Sequence, residues 1–510
     1  MKKITAVILT GLFICVNSFS QSSDYNINEL VRAYQVNVQS DNDLNCFSVL
    51  VGKKASNDGS VFFAHNEDDE GQNFVNLHKV PRINHRPGEK QIFVDALDSI
   101  NEVSETYGYL WISGSAYNEE QYLNEWGVAI TSDGGRSKVI NGEARIQHNL
   151  RRIVIERART AREAVKIAGT LVQRYGYTKS GRDYLIVDPN EAWVFEVTFS
   201  KHWIAKRLPD DEVAIIPNYY VIDDFDMADT LNYLSSPDIK EYAINTGWYN
   251  PKIDGSFNFR KIYGRKDRQE ALFNIARKWV ILNKLSERQY NLNEDFPFSF
   301  KPKHKLSIQD LMEVMRNHYE NTQFAKSYYK GCPHSDNIDT LSVCNGLNDY
   351  SCITQLRNWL PADIGNIMWF APRYPCIQPF IPWYYGINKI LSDYEKMSYT
   401  DALRNYNIKQ IDYKTIYNDH ACWVFDDFAT IIDGFYGKEI KSIKGWNNNF
   451  DKDIFMTLKL KEPEIINIYR SDPDKARQMI TELTNSFAKK ALDETKDKLK
   501  TMKMPSANTK

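Results

Sequence analysis

The 510-residue chain is 42% hydrophobic and 25% charged, which is enough apolar mass for a large core and excludes a disordered protein. Its 64 basic and 66 acidic residues give a net charge of -2. We see no basic stripe in the sequence, which argues against nucleic acid or an anionic membrane surface as a partner.

Residues 1–20 have the pattern of a signal peptide, with two lysines, an apolar stretch at 4–16 and small residues at 18 and 20. That stretch is too short to span a bilayer, which needs about 20 apolar residues. Cys15 is a poor lipoprotein anchor because a large residue precedes it. Since no later stretch is long enough, we expect an exported protein, periplasmic or secreted, with no membrane span.

A polar, Asn-rich leader is predicted at residues 21–45, before one large domain at 46–510. The domain opens with an apolar strand at 46–52, a turn, and a return strand at 60–64. The return strand ends in a dense polar cluster at 65–69. Folding this hairpin sets Cys46 opposite roughly residues 66–71.

The middle of the chain predicts strands before and after one long helix. The helix runs from 153 to about 174, and the strands are at 122–131, 184–187, 192–197, 203–208 and 213–216. Strand clusters on both sides of a helix indicate a layered α+β fold and not a regular βαβ winding.

From about residue 300 we expect an elaborate C-terminal half. Ser307 and Asp310 resemble a capping box at the start of a helix. Residues 351–390 are rich in Pro, Trp and Tyr and are interpreted as irregular covering structure. A further helix should begin at Pro473, and the tail at 502–510 should be frayed.

Export changes the interpretation of the cysteines. Five fall late in the chain and could form one or two disulfides: Cys332, Cys344, Cys352, Cys376 and Cys422. Cys344 is a plausible partner of either Cys332 or Cys352, and the pairing stays open. A zinc site is disfavoured because no CxxC pair occurs and the nine histidines are scattered. No metal or cofactor is expected.

Cys46 heads a strand directly after the leader, so cleavage there would make it a new N-terminus. A free α-amino group has a pKa of about 7.7–8.0, and modest burial would make it a base at neutral pH. An N-terminal cysteine then carries nucleophile and general base in one residue. A nearby carboxylate such as Asp68 would orient the amine.

The opening motif at 46–60, followed by Ala64-His-Asn-Glu-Asp68, resembles that of the thiol dipeptidases (dipeptidase A, cysteine peptidase family 69). These are relatives of secernins within the Ntn-hydrolase superfamily. The likeness continues at 124–130, 176–177, 180–181, 191–193, Trp203, 209–211, 217–218, 318–322 and 355–361. It therefore covers nearly all of the mature chain.

The resemblance implies an αββα sandwich that hydrolyses a peptide amide, with Cys46 as nucleophile and Asp68 in the position of the superfamily Asp. It also implies that Asn218 helps to bind the oxyanion. His65 stands where an Arg is common, and with Asn66 and Asn124 it is a supporting candidate. A further superfamily Arg is left open among Arg260, Arg277 and Arg357.

The expected function is an exported dipeptidase acting on small peptides, activated by cleavage between Asn45 and Cys46. The Cys46 thiol itself or a host protease could cleave this bond. The alternatives are a non-peptidase amide hydrolase (acylase) of the same superfamily, or an exported binding protein without catalysis. A papain-like enzyme is disfavoured, because the motif of those peptidases does not surround Cys46. The oligomeric state stays open.

Overall fold

The computed structural model describes residues 46–69, 73–93, 98–114, 121–147, 149–325, 331–334, 341–404 and 412–502. The predicted signal peptide, the leader and the tail from residue 503 lie outside the described residues. Among the described residues, no helix is both long and apolar enough to cross a membrane.

The strands, in chain order, are β1 (Phe47–Val51), β2 (Val61–Asp68), β3 (Asn76–Val80), β4 (Ile83–Asn84), β5 (Lys90–Phe93), β6 (Asp98–Asn101), β7 (Glu105–Thr106), β8 (Tyr109–Ser113), β9 (Gln121–Asn124), β10 (Ala129–Gly134), β11 (Tyr177–Val187), β12 (Ala192–Ser200), β13 (Trp203–Arg207), β14 (Val213–Ile216), β15 (Tyr233–Ser235), β16 (Ser299–Phe300), β17 (Asn348–Leu356), β18 (Asn366–Pro372) and β19 (Ile381–Tyr384). They form a seven-stranded sheet of order β16-β14-β1-β2-β17-β18-β19 and an eight-stranded sheet of order β15-β13-β12-β11-β10-β9-β8-β3. Two small ribbons pair β4 with β7 and β5 with β6.

The helices, in chain order, are α1 (Asn149–Ile155), α2 (Ala161–Tyr175), α3 (Ile239–Asn245), α4 (Phe259–Tyr263), α5 (Lys266–Gln269), α6 (Leu272–Leu285), α7 (Ile308–Met315), α8 (Ala362–Gly365), α9 (Tyr399–Arg404), α10 (Tyr413–Ile416), α11 (Ala421–Tyr469) and α12 (Pro473–Thr501). The Ser307–Asp310 capping box and the helix start at Pro473 are both observed. The helix predicted from 153 to 174 is divided in two, because a turn before Thr160 separates α1 from α2, and Thr160 caps α2.

The two sheets pack face to face and a helical layer covers each, which gives the predicted αββα sandwich. α1 and α2 pack on the outer side of the eight-stranded sheet, where Ile130 and Ile186 belong to their core. The neighbouring Ala129 and Leu185 point the other way, into the core shared with the seven-stranded sheet. α6, α7, α11 and α12 cover the seven-stranded sheet from outside.

Two predictions about the strands are wrong. Residues 351–390, expected to be irregular, contain most of β17 and all of β18 and β19, which are buried in the seven-stranded sheet. Aromatic residues favour strands, and the two prolines within these strands stand at the end of β18 (Pro372) and in the edge strand β19 (Pro382), where an N–H is dispensable. The strand predicted at 122–131 is a hairpin, since a turn after Asn124 separates β9 from β10.

Candidate active site

The β1–β2 hairpin brings Cys46 to the polar end of β2. Ser48 pairs with His65, so the same register sets Cys46 opposite Glu67, within the range 66–71 expected from the turn. Opposite residues of an antiparallel pair point to the same face of the sheet. These four side chains therefore share the face that is turned toward the eight-stranded sheet.

A chain of short polar contacts surrounds the thiol. Cys46 Sγ donates to Glu67 Oε1 at 3.0 Å, and Glu67 Oε2 lies 2.9 Å from His65 Nε2. His65 Nδ1 lies 2.8 Å from Ser48 Oγ and 3.4 Å from Oδ1 of Asp133, which comes from β10 in the opposite sheet. All five side chains are buried. The thiol thus faces two carboxylates and one imidazole.

This environment determines the protonation states of Cys46 and His65. Burial, followed by the negative charges of Glu67 and Asp133, raises the pKa of the Cys46 thiol well above its usual value. Burial lowers the pKa of His65, but the hydrogen bonds and charges of Asp133 and Glu67 outweigh it and raise that pKa to about 9. At neutral pH the thiol is therefore protonated and needs a base. His65 is an imidazolium, so it supplies positive charge and not basicity.

Asp68 lies on the opposite face of β2, toward α6. Its Oδ2 is 2.8 Å from Asn345 Nδ2 and 3.4 Å from the Arg277 guanidinium, and its Oδ1 accepts from Asn348. Burial raises the pKa of Asp68 to about 7, although Arg277 and Asn345 act to lower it. Asp68 is thus held at the end of β2 by three donors that come from distant parts of the chain.

Asn218 lies on the other side of Cys46 from Glu67. β1 pairs with β14 so that Ser48 is opposite Ile216, the last residue of β14, and Asn218 follows two residues beyond it. The cysteine at the head of β1 is therefore flanked by an acid on one neighbouring strand and an amide just beyond the other.

The Asn218 amide is held at one end only. Its Oδ1 accepts from Arg277 at 2.7 Å, whereas its buried Nδ2 has no hydrogen-bond partner. Leaving a buried donor unsatisfied costs about 1–3 kcal/mol, so this N–H group is available to an incoming acceptor. The backbone of Asn218 is also tied to Asn274 on α6. These contacts therefore fix the orientation of the free Nδ2–H group of Asn218.

Of the three arginines that the sequence left open, Arg277 joins this network. It contacts both Asp68 and Asn218, and it is fully buried. Arg260 instead binds Asp295 and the Phe296 carbonyl. Arg357 forms a bidentate pair with Glu462 on α11.

The structure places the other two asparagine candidates in different surroundings. Asn124 Nδ2 donates to the carbonyls of Ile155 and Ala158, and its Oδ1 accepts from two N–H groups of the β9–β10 turn. Asn66 Nδ2 donates to the carbonyls of Met315 and Val343 on the helical side of the sheet. Both amides tie backbone segments together and do not face the thiol.

Sequence reasoning did not single out several residues of the site. Glu67 was part of the predicted polar cluster, but nothing in its sequence context separates it from its neighbours. Asp133, Asn345 and Asn348 carry no local motif, and only the tertiary fold brings them in. The sulfur of Cys46, one nitrogen of His65 and an oxygen of Asp133 lie close enough to share a metal ion, which would occupy the thiol.

The class of protein follows from comparison with known sequences. The sequence model described as Peptidase family C69 matches residues 45–447, which begin next to Cys46 and include every residue of the site described above. The chain belongs to Peptidase family C69.

The chain is also similar to individual known proteins. The chain is 26% identical over 413 residues to a "Probable dipeptidase" of Latilactobacillus sakei, covering 77% of this chain and 82% of that protein. It is 28% identical over 371 residues to "Dipeptidase A" of Lactobacillus helveticus, covering 67% and 75%. A solved structure of penicillin V acylase from Agrobacterium tumefaciens is similar at 14% identity and a TM-score of 0.30, covering 64% of this chain and 86% of that one.

Proposed function

We propose that this protein is an exported dipeptidase in which Cys46 attacks the peptide carbonyl after cleavage of the Asn45–Cys46 bond. The apolar stretch at 4–16 supports export. In the uncleaved chain the nitrogen of Cys46 is an amide and not a base. Cleavage turns it into an amine, which supplies the base that the protonated thiol needs.

The reaction then uses the residues that flank the cysteine. The Cys46 amine takes the thiol proton, the sulfur adds to the carbonyl carbon, and the free Nδ2 of Asn218 donates to the oxyanion. Collapse breaks the C–N bond and the protonated amine gives its proton to the departing amino acid. Water, activated by the same amine, hydrolyses the thioester and regenerates the thiol.

The contact that favours a dipeptide over the acyl chain of an acylase substrate is the one between Glu67 and the thiol, at 3.0 Å. In a dipeptide the ammonium group sits on the carbon next to the scissile carbonyl, so it must lie close to the attacking sulfur. The thiol faces the carboxylates of Glu67 and Asp133, and the His65 imidazolium and the buried Arg182 guanidinium supply the positive charge nearby. The substrate ammonium group can pair with Glu67, the carboxylate in contact with the sulfur, whereas an uncharged acyl group makes no such pair.

Free and N-acetylated forms of one dipeptide test this proposal on processed enzyme. We expect the free form to be cleaved at least a hundredfold faster in kcat/KM. Glu67→Gln should lower kcat/KM for the free form by roughly a hundredfold and leave the acetylated form nearly unchanged, since losing one partner of a buried charge pair costs about 2–5 kcal/mol. Glu313→Gln, at a side chain that is 71% exposed, is the matched control.

Faster cleavage of the acetylated form would identify an acylase and contradict the proposal. Mass spectrometry of the secreted protein supplies the second test. A chain that begins at Cys46 is expected, and an active enzyme that retains residues 21–45 would overturn the N-terminal mechanism.

A further inference from the structure

A second cluster of reactive side chains lies outside the Cys46 site. His318, His334, Cys344 and Cys376 are all buried, and one nitrogen or sulfur atom of each lies within 4.8 Å of the others. The four residues come from the segment after α7, from residues 331–334, from the segment before β17 and from the loop after β18. The histidines and cysteines that look scattered in the sequence are therefore brought together by the fold.

The spacing of these atoms fits a tetrahedral metal ion. His334 Nε2 lies 3.2 Å from Cys376 Sγ and 3.8 Å from Cys344 Sγ. Zinc bonds of about 2.3 Å to sulfur and 2.0–2.1 Å to nitrogen place neighbouring ligand atoms roughly 3.5 Å apart in a tetrahedron. A small adjustment of side chains would bring all four atoms into the coordination sphere.

Both imidazoles are already oriented as metal ligands. Nδ1 of His334 lies 2.7 Å from Asp433 on α11, and Nδ1 of His318 lies 3.3 Å from Glu320. In zinc sites the ligating histidine regularly donates its other N–H group to a carboxylate or carbonyl in this way. The Nε2 atom of His318 is buried and has no hydrogen-bond partner, which leaves it free to coordinate a metal ion.

The chemistry of the four ligands selects the metal. Two thiolates and two neutral imidazoles in a tetrahedron are typical of zinc. The two thiolate charges balance the charge of Zn²⁺, so the ion can be buried without leaving a net charge. Four protein ligands leave no open position for a substrate, which is the mark of a structural site.

We propose that His318, His334, Cys344 and Cys376 bind one Zn²⁺ ion in a closed structural site. This proposal departs from the expectation from sequence spacing, because each of the four ligands comes from a separate segment of the chain. It also gives Cys344 and Cys376 a role other than a disulfide, and both are free thiols in the structure.

The zinc site would stabilise the loop that holds Asp68 in the catalytic network. Cys344 directly precedes Asn345, whose amide donates to Asp68 at 2.8 Å. The Val343 carbonyl, one residue earlier, accepts from Asn66 on the central strand β2. Fixing Cys344 to the metal therefore fixes the loop that holds Asp68. His318 ties the same centre to the end of α7, where the Met315 carbonyl accepts from Asn66 as well.

Elemental analysis of the full chain, purified under reducing conditions without chelators, tests the proposal. We expect about one zinc ion per chain. Replacement by Co²⁺ should give the visible bands of tetrahedral cobalt and thiolate-to-cobalt charge transfer in the near ultraviolet. Zinc-depleted protein should unfold at a lower temperature than zinc-loaded protein.

Variants assign the ligands. Cys376→Ser and His334→Ala should each reduce the zinc content severalfold and weaken the cobalt charge-transfer band or visible spectrum. Cys352→Ser and Cys422→Ser remove buried thiols outside the cluster and should retain one zinc ion. If a ligand variant fails to fold, the cobalt spectrum of the unaltered chain still decides the question.

Three outcomes would overturn the proposal. The first is protein that stays metal-free after incubation with Zn²⁺ under reducing conditions. The second is a disulfide between Cys344 and Cys376 in peptide mapping of the native protein. The third is a Cys376→Ser variant that folds and keeps its full zinc content.

Discussion

Arg277 donates a 2.7 Å hydrogen bond to Oδ1 of Asn218 and so determines which end of that amide remains free. An asparagine side chain can rotate to exchange its oxygen and nitrogen. A guanidinium has only donors, so the oxygen must face Arg277 and the N–H group must point away. The same guanidinium contacts Asp68, and one buried cation thus orders both ends of the site.

Replacing Asn218 tests the oxyanion role. Losing one preorganised donor costs about 2.7–4 kcal/mol, so Asn218→Ala should lower kcat by roughly a hundred- to a thousandfold with KM nearly unchanged. It should also slow removal of the leader if the chain cleaves itself, since that step forms a similar oxyanion. Asn124→Ala is the control, because its amide holds a turn; it should lower stability but keep kcat per folded molecule. If Asn218→Ala kept a kcat within a few-fold of that of the parent enzyme, Asn218 would have only a structural role in its turn.

Arg277→Lys tests the orientation of Asn218. A lysine keeps the charge but presents a single ammonium group, which cannot hold Asp68 and Asn218 in the same geometry. We expect kcat to fall at least tenfold, with KM changed much less. Arg260→Lys is the matched control, since Arg260 binds Asp295 and lies outside the network. Equal kinetic losses in both variants would show that the Arg277 effect is one of general stability.

Stability should depend on pH through His65. Its pKa is about 9 in the folded protein and 6.5 in the unfolded chain, so the folded state binds the proton more tightly. The stabilisation is complete below pH 6.5 and is lost as the pH rises through about 9, which removes roughly 3 kcal/mol from the free energy of unfolding. Urea titrations from pH 6 to 10 measure this slope. His65→Gln should flatten it and exposed His304→Gln should not; a slope unchanged in His65→Gln would exclude His65 as its source.

Variants of Cys46 test how the leader at residues 21–45 is removed. Cys46→Ala should retain residues 21–45 if the thiol attacks the preceding carbonyl, and Cys46→Ser should be cleaved slowly because a hydroxyl is the weaker nucleophile. Intact-mass measurement of the secreted chains gives the result. Cys352→Ala, which removes another buried thiol, should mature normally. A Cys46→Ala chain that begins at residue 46 would show that another protease makes the cut.

The hairpin that carries Cys46 was predictable from sequence because it is local. The register of β1 and β2 follows from the position of the turn between them, which placed the thiol opposite the acidic end of β2. Arg277 could not be chosen from three arginines, since its partners Asp68 and Asn218 are far away in the chain. Burial of β17 within the sheet likewise depends on its pairing with β2, hundreds of residues away in the chain.

β2 presents His65 and Glu67 to the thiol side of the sheet and Asn66 and Asp68 to the helical side. The length of the loop at 52–60 therefore determines the register of β1 and β2, and with it which set of β2 side chains lies beside Cys46. A slip of one residue would exchange the two sets and put an amide and a differently paired acid at the nucleophile. For protein engineering this means that insertions and deletions in that loop are constrained by chemistry, although the loop itself contributes no side chain to the reaction.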